Sequence, residues 1–328
     1  MSLGRAAWAA RTYAFHAGYN ALMRGAPGVA QGLQRLTRDT GRAGTCVGRA
    51  AAEYFRAVAD DFETIARHAG IEGSLYDGKT VLELGPGDTM GVSLVARLRG
   101  ARGCEAFDAF DIASRDRAYL EAIYGPIVEL EGRDGGARAA WELLEACAHR
   151  TTPAALRAGG RRFGAVLSRA VLEHVKDLDA LFALARDVAT EDAVWVHEVD
   201  LRDHGITHGH PLDFLRFSER AWTRMTSHTD APSRARASEY LALGARHGLT
   251  LVWGGVSHRA TPAEVRAIKP ELADPFRAMD DEELSILGLW LVHVGPAHPL
   301  ARPIAAPPPI ASLPRAPMAS LSPFSQGI

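Results

Sequence analysis

The stretch Val81-Leu82-Glu83-Leu84-Gly85-Pro86-Gly87-Asp88-Thr89 decides the reading of this chain. Four apolar or strand-compatible residues run into two glycines, and a helix is expected directly afterwards, over residues 91–98. A strand that turns through glycine into a helix brings backbone close to a ligand and presents unpaired N–H groups to it. Such a turn at the carboxyl end of the first strand binds a nucleotide-like cofactor. A phosphate-binding P-loop is excluded, since no Gly-Lys-Ser/Thr follows. A dinucleotide turn is disfavoured, because the position of its third glycine holds the bulky Met90, and Gly91 gives only a looser spacing. Glu83, two residues before Gly85, puts a carboxylate beside the ligand, which suits a cationic group better than a pyrophosphate.

Outward from this turn, apolar runs at 104–107, 163–168, 193–199, 249–256 and 289–294 read as strands. Helical spacing recurs at 45–68, 116–123, 139–149, 178–188 and 236–247. Alternation of this kind marks a mostly parallel, doubly wound α/β sheet covered on both faces. Residues 1–70 form a helical N-terminal extension, and glycines at 4, 18, 25, 28 and 32 predict short helices there rather than one long one. Residues 71–295 make the α/β domain. Residues 296–328 are punctuated by proline without periodicity and are expected to be a disordered tail.

The 328 residues carry a formal net charge of −2 and 47% hydrophobic residues. This composition is that of a globular chain and excludes bulk disorder. It gives no global basic field, so no nucleic-acid partner is expected. No apolar run is long enough to cross a bilayer. Three scattered cysteines make neither a disulfide framework nor a zinc spacing, and a cytoplasmic location with reduced thiols is expected.

At the glycine turn the sequence resembles the class I S-adenosylmethionine-dependent methyltransferases, whose first motif is acidic–x–Gly–x–Gly; Glu83, Gly85 and Gly87 match it, with Thr89 in place of a third glycine. Asp108, ending the second strand, stands where members hold both ribose hydroxyls, and Asp111 is the fallback. The run from Phe163 to Val175 is similar to the family's fourth strand and following loop, with Gly164 where aspartate is usual. The resemblance implies a Rossmann-like, seven-stranded methyltransferase fold with S-adenosylmethionine as cofactor. It places Ser168 beside the methionine half, and Glu173-His174 lining the pocket.

After the fifth strand, residues 196–210 hold four histidines and several carboxylates. The family usually places acceptor-side residues there. His204 and Asp203, just past the strand end, are the candidate general bases. The segment is not HExxH and has no recognised metal spacing, so no metal is expected. Phe214, Phe217, Trp222 and Met225 read as packing. The expected activity is in-line methyl transfer to an O or N atom of a small molecule. The rivals are an NAD(P)-dependent oxidoreductase on a similar fold, a non-catalytic cofactor-binding partner, and a zinc hydrolase built on the histidines. The acceptor and the oligomeric state are open.

Overall fold

The computed structural model describes residues 3–26, 47–109, 112–207, 209–303 and 306–317. Seven strands form one sheet in the order β3-β2-β1-β4-β5-β7-β6. They are β1 (Thr80–Leu84), β2 (Gly103–Phe107), β3 (Cys147–Arg150), β4 (Phe163–Arg169), β5 (Ala189–Asp200), β6 (Thr250–Arg259) and β7 (Ile286–Val294). β7 runs antiparallel between β5 and β6, and the other neighbours are parallel. The α/β class and the seven strands expected from the sequence are borne out. The chain leaves β1 toward β2 and β3, then crosses back to β4 on the other side of β1. That reversal opens a crevice at the carboxyl ends of β1 and β4.

Strand alternation divides the buried residues between two faces. Val81, Ala165, Leu167, Val194 and Val196 pack beneath α2 (Gly48–His68), α3 (Gly91–Leu98), α4 (Arg117–Leu130) and α5 (Gly136–Leu144). Leu82, Leu84, Val166, Trp195 and Leu289 face α6 (Pro153–Ala158), α7 (Leu178–Val188) and α9 (Ala237–Arg246). Helix starts follow side-chain chemistry: Thr152 before Pro153 caps α6, Asp177 caps α7, and Ser218 caps α8 (Glu219–Thr226).

Four expectations are corrected. The N-terminal segment is not a series of short helices: α1 (Leu3–Gly25) is one helix of 23 residues. Two interior glycines cost about 1 kcal/mol each, and docking offsets this. Trp8 and Tyr13 pack on a third apolar cluster that contains Phe214, Phe217, Trp222 and Met225, while Asn20 bonds Arg224 O and Ser227 Oγ of the segment around α8. Residues 27–46 lie outside the described residues. The boundary at 70 also moves, because Phe55, Val58, Phe62 and Ile65 of α2 are core residues of the sheet domain.

The helix expected over 139–149 ends at Leu144, and β3 follows as a four-residue edge strand. All four of its residues are half-buried, so no alternation betrays it. Finally, 306–317 is ordered rather than a disordered tail. Val256 N donates to Pro314 O, Ala316 N donates to Val256 O, and Leu313 and Ala316 are buried. Proline removes donors but not acceptors: β6 donates to Pro314 O, and the non-proline Ala316 donates back to β6 at an open sheet edge. Residues 318–328 lie outside the described residues.

Candidate functional site

The glycine turn is held from both sides. Gly85 N donates to Phe107 O at 2.8 Å. Gly85 has φ +65°, and a Cβ there would fall inside the Val171 side chain, which belongs to the loop after β4. The β1 and β4 loops therefore interlock only because residue 85 has no side chain. Gly87 has φ +75°, yet a Cβ on it would meet nothing within 4 Å. Its backbone borders open space, as a ligand cradle requires. Thr89 Oγ1, buried in the same turn, has no hydrogen-bond partner. Glu83 is buried and accepts from Ser93 Oγ of α3 at 2.9 Å. The register pairs Leu84 with Phe107, which brings Asp108 level with Gly85, and Asp108 is half-buried. Tyr119 Oη donates to Asp88 Oδ2 at 2.9 Å, and Met90 N donates to Tyr124 Oη at 3.0 Å, so α4 braces the turn.

A crevice with a carboxylate level with the turn, a cradle open at Gly87 and an orphaned hydroxyl at Thr89 fits an adenosyl ligand. The sequence independently matches a methyltransferase domain model over residues 51–252. The chain belongs to the class I S-adenosylmethionine-dependent methyltransferases. Its cofactor is S-adenosylmethionine. Among solved structures, the methyltransferase is similar to an S-adenosylmethionine-dependent methyltransferase from Mesorhizobium loti, with 16% identity, 70% of this chain and 96% of that one covered, and a TM-score of 0.37. It is similar too to a chain assigned as a sarcosine dimethylglycine methyltransferase from Galdieria sulphuraria, with 11% identity, coverage of 72% and 84%, and a TM-score of 0.42. No curated protein matched the sequence. Among the described residues, no helix is long and apolar enough to cross a membrane.

The remaining sequence-predicted residues of the methyltransferase fall in three places. Ser168 is level with Leu84, but its side chain enters the core: Oγ lies 2.7 Å from His197 Nδ1, and the residue is 1% exposed. Its hydroxyl is spent inside the protein, which corrects its assignment as a cofactor ligand. Asp203 is corrected likewise. Oδ1 accepts from Ile206 N, and Oδ2 accepts from Thr207 N and Thr207 Oγ1. A buried carboxylate engaged at both oxygens holds a loop and is poorly placed to take a proton from a substrate. Asp111 and His208 lie outside the described residues.

His204 is different. Its Nδ1 lies 3.0 Å from His174 Nε2, and Asp200 Oδ2 stands 3.6 Å from its Nε2. His174 comes from the turn after β4, three residues beyond Val171 and the glycine contact. Burial, with His204 beside it, lowers the His174 pKa to about 4, so this imidazole is neutral. Burial opposes ionisation of Asp200, but the Arg202 fork and His204 outweigh it and hold the carboxyl below its usual value. Glu173 is 1% exposed, and burial, then the Asp200 charge, pushes its pKa well above the ordinary one. Asp200 and Thr89 gave no signal of their own in the sequence. Asp200 becomes readable only as the neighbour of a histidine four residues on.

The loop that carries His204 is clamped by α1. Trp8 Nε1 donates to Thr207 O at 3.3 Å, and His16 Nε2 lies 3.1 Å from Ile206 O. Beneath the site, Arg169 bonds Asp61 at 2.7 Å and Glu198 at 2.9 Å, tying the end of β4 to α2.

Proposed function

We propose that the chain transfers a methyl group from S-adenosylmethionine to an oxygen or nitrogen atom of a small molecule bound at the carboxyl edge of β4 and β5. One observation carries this reading: the His174–His204 pair stands in the loops next to the glycine turn, and α1 bonds the loop that carries His204. The bound cofactor supplies a methyl group already activated by its sulfonium. The protein's task is then alignment and removal of the acceptor proton. Asp108 accepts from the ribose hydroxyls, which favours a carboxylate there. Glu83 places negative charge on the methionine side. Gly85 and Gly87 let backbone reach the ligand, and α1 with the loop at 203–207 shuts out water. His204, steadied by Asp200 and facing His174, handles the acceptor proton, and Asp203 keeps its loop in place. The net charge of −2 favours a small molecule over a nucleic acid, and the free Cys104 and Cys147 agree with a cytoplasmic enzyme.

Calorimetric titration with S-adenosylmethionine tests the reading. Binding at one equivalent is expected, weakened about 10- to 100-fold by Asp108→Ala through loss of charge-assisted hydrogen bonds. Absence of binding, or tight binding of NAD(P)H in its place, would overturn it.

A further inference from the structure

We infer that Glu173, His174 and His204 form a site for one divalent transition-metal ion, which holds the oxygen of a hydroxyl-bearing acceptor. The inference rests on the proposed methyl transfer and names the acceptor class at that same site. One ligand atom from each of the three residues lies within 4.8 Å of the others. His174 Nε2 is 3.0 Å from His204 Nδ1 and 3.9 Å from Glu173 Oε1. Bonds of about 2.0–2.1 Å in a tetrahedral shell place ligand atoms about 3.3 Å apart, so these separations close around an ion with small adjustments.

The second observation is independent. Glu173 is 1% exposed, and neither carboxylate oxygen makes a hydrogen bond of normal geometry. A buried carboxylate left this way is costly, and a cation in front of it removes the cost. The outer contacts are those of a metal site as well. His174 Nδ1 faces Asp230 O, which fixes its proton there and leaves Nε2 as the free lone pair. Without an ion the two rings share one hydrogen bond between His204 Nδ1 and His174 Nε2; to ligate, His204 moves its proton to Nε2, on the side of Asp200 3.6 Å away. Two imidazoles and one carboxylate suit zinc or a similar first-row ion better than magnesium. Three protein ligands leave a position open for the acceptor.

With the ion in place His204 serves as a ligand rather than as the base, and a hydroxyl of the acceptor bound to the ion loses its proton to water more readily. The oxygen's electron pair then forms the bond to the methyl carbon, the carbon–sulfur bond breaks, and its pair returns to sulfur.

The test uses tag-free full-length protein stripped with EDTA. Zinc titrated calorimetrically binds at one equivalent. Glu173→Gln and His204→Asn each weaken it at least 100-fold, and His228→Asn, at an exposed histidine, leaves it unchanged. The cobalt-loaded wild type shows two solvent-exchangeable imidazole N–H signals shifted by the ion, a readout that stands if a variant fails to fold. Less than a tenth of an equivalent of zinc, binding unaltered in both folded variants, or fewer than two shifted signals would overturn the inference. A parallel S-adenosylmethionine titration separates the two claims: zinc without cofactor binding sinks the methyl-transfer reading alone, and cofactor without zinc sinks the metal site alone.

Discussion

The glycine turn after β1 and the histidine cluster after β4 and β5 sit side by side and are built in opposite ways. The turn is made of backbone: two left-handed glycines, a hydrogen bond to the neighbouring strand, and a side chain of the next loop in the space a Cβ would fill. The cluster is made of side chains from two loops about 30 residues apart, brought together because β4 and β5 are parallel neighbours. A backbone device must be written in consecutive residues, so it is visible in a sequence. A side-chain device is written by topology, and its members look unremarkable until the strands are paired.

The contrast can be sharpened by perturbing each side, beginning with the largest effect. The histidine half of the sheet carries His197 and His293 in the core, where burial lowers their pKa values to about 3, with His293 contributing, and to about 4. Unfolded, both titrate near the ordinary value of about 6.5. Their neutral forms therefore support the fold fully above about pH 6.5, and that stability drains as pH falls toward 4, because the unfolded chain then binds protons that the folded chain refuses. Urea unfolding should lose about 2 kcal/mol per histidine between pH 7 and pH 5, and His293→Leu should lessen the loss by its own share of about 2 kcal/mol. A stability independent of pH over that range would remove the distinction.

The glycine side answers to sterics instead. Gly85→Ala should lower S-adenosylmethionine affinity about 100-fold, from the left-handed φ and the collision with Val171. Adding Val171→Ala should recover about tenfold, since it relieves the collision and leaves the backbone strain. Unchanged affinity in Gly85→Ala would show that the interlocked loops do not shape the crevice.

A smaller effect separates two adjacent residues within the cluster loop. Asp203→Ala should cost about 2 kcal/mol of stability, because it strands the N–H groups of Ile206 and Thr207. Cofactor affinity should change less than twofold. A large loss of affinity without loss of stability would return Asp203 to the chemistry. Smallest of all, Leu313→Ala in the ordered C-terminal segment should cost about 1–2 kcal/mol in denaturant, and no cost would return the segment to a passive tail.

The same division explains what the sequence disclosed. β1, β4, α3 and α7 were legible, because apolar runs and capping residues are local; α3 and α7 fall at the expected residues. Glu83, Gly85 and Gly87 on β1 and its turn, with Asp108 level with Gly85 at the end of β2, were legible as one local motif and one strand end. β3 was hidden by its length and its half-exposed surface, and α1 by glycines whose cost is met through distant contacts with α8. Ser168 was misread because its motif position says where its backbone lies and not which face its side chain takes. The metal spacing was sought within residues 196–210, where His204 alone contributes, while its partners Glu173 and His174 belong to another loop.

The central claim is that the methyl direction of the cofactor faces the histidine cluster. A crystal structure with S-adenosylhomocysteine tests it most directly. The account predicts the ribose on Asp108, backbone of Gly87 against the ligand, and the sulfur turned toward Glu173 and His204. A ligand whose sulfur points beneath α2, or a ribose away from Asp108, would contradict it.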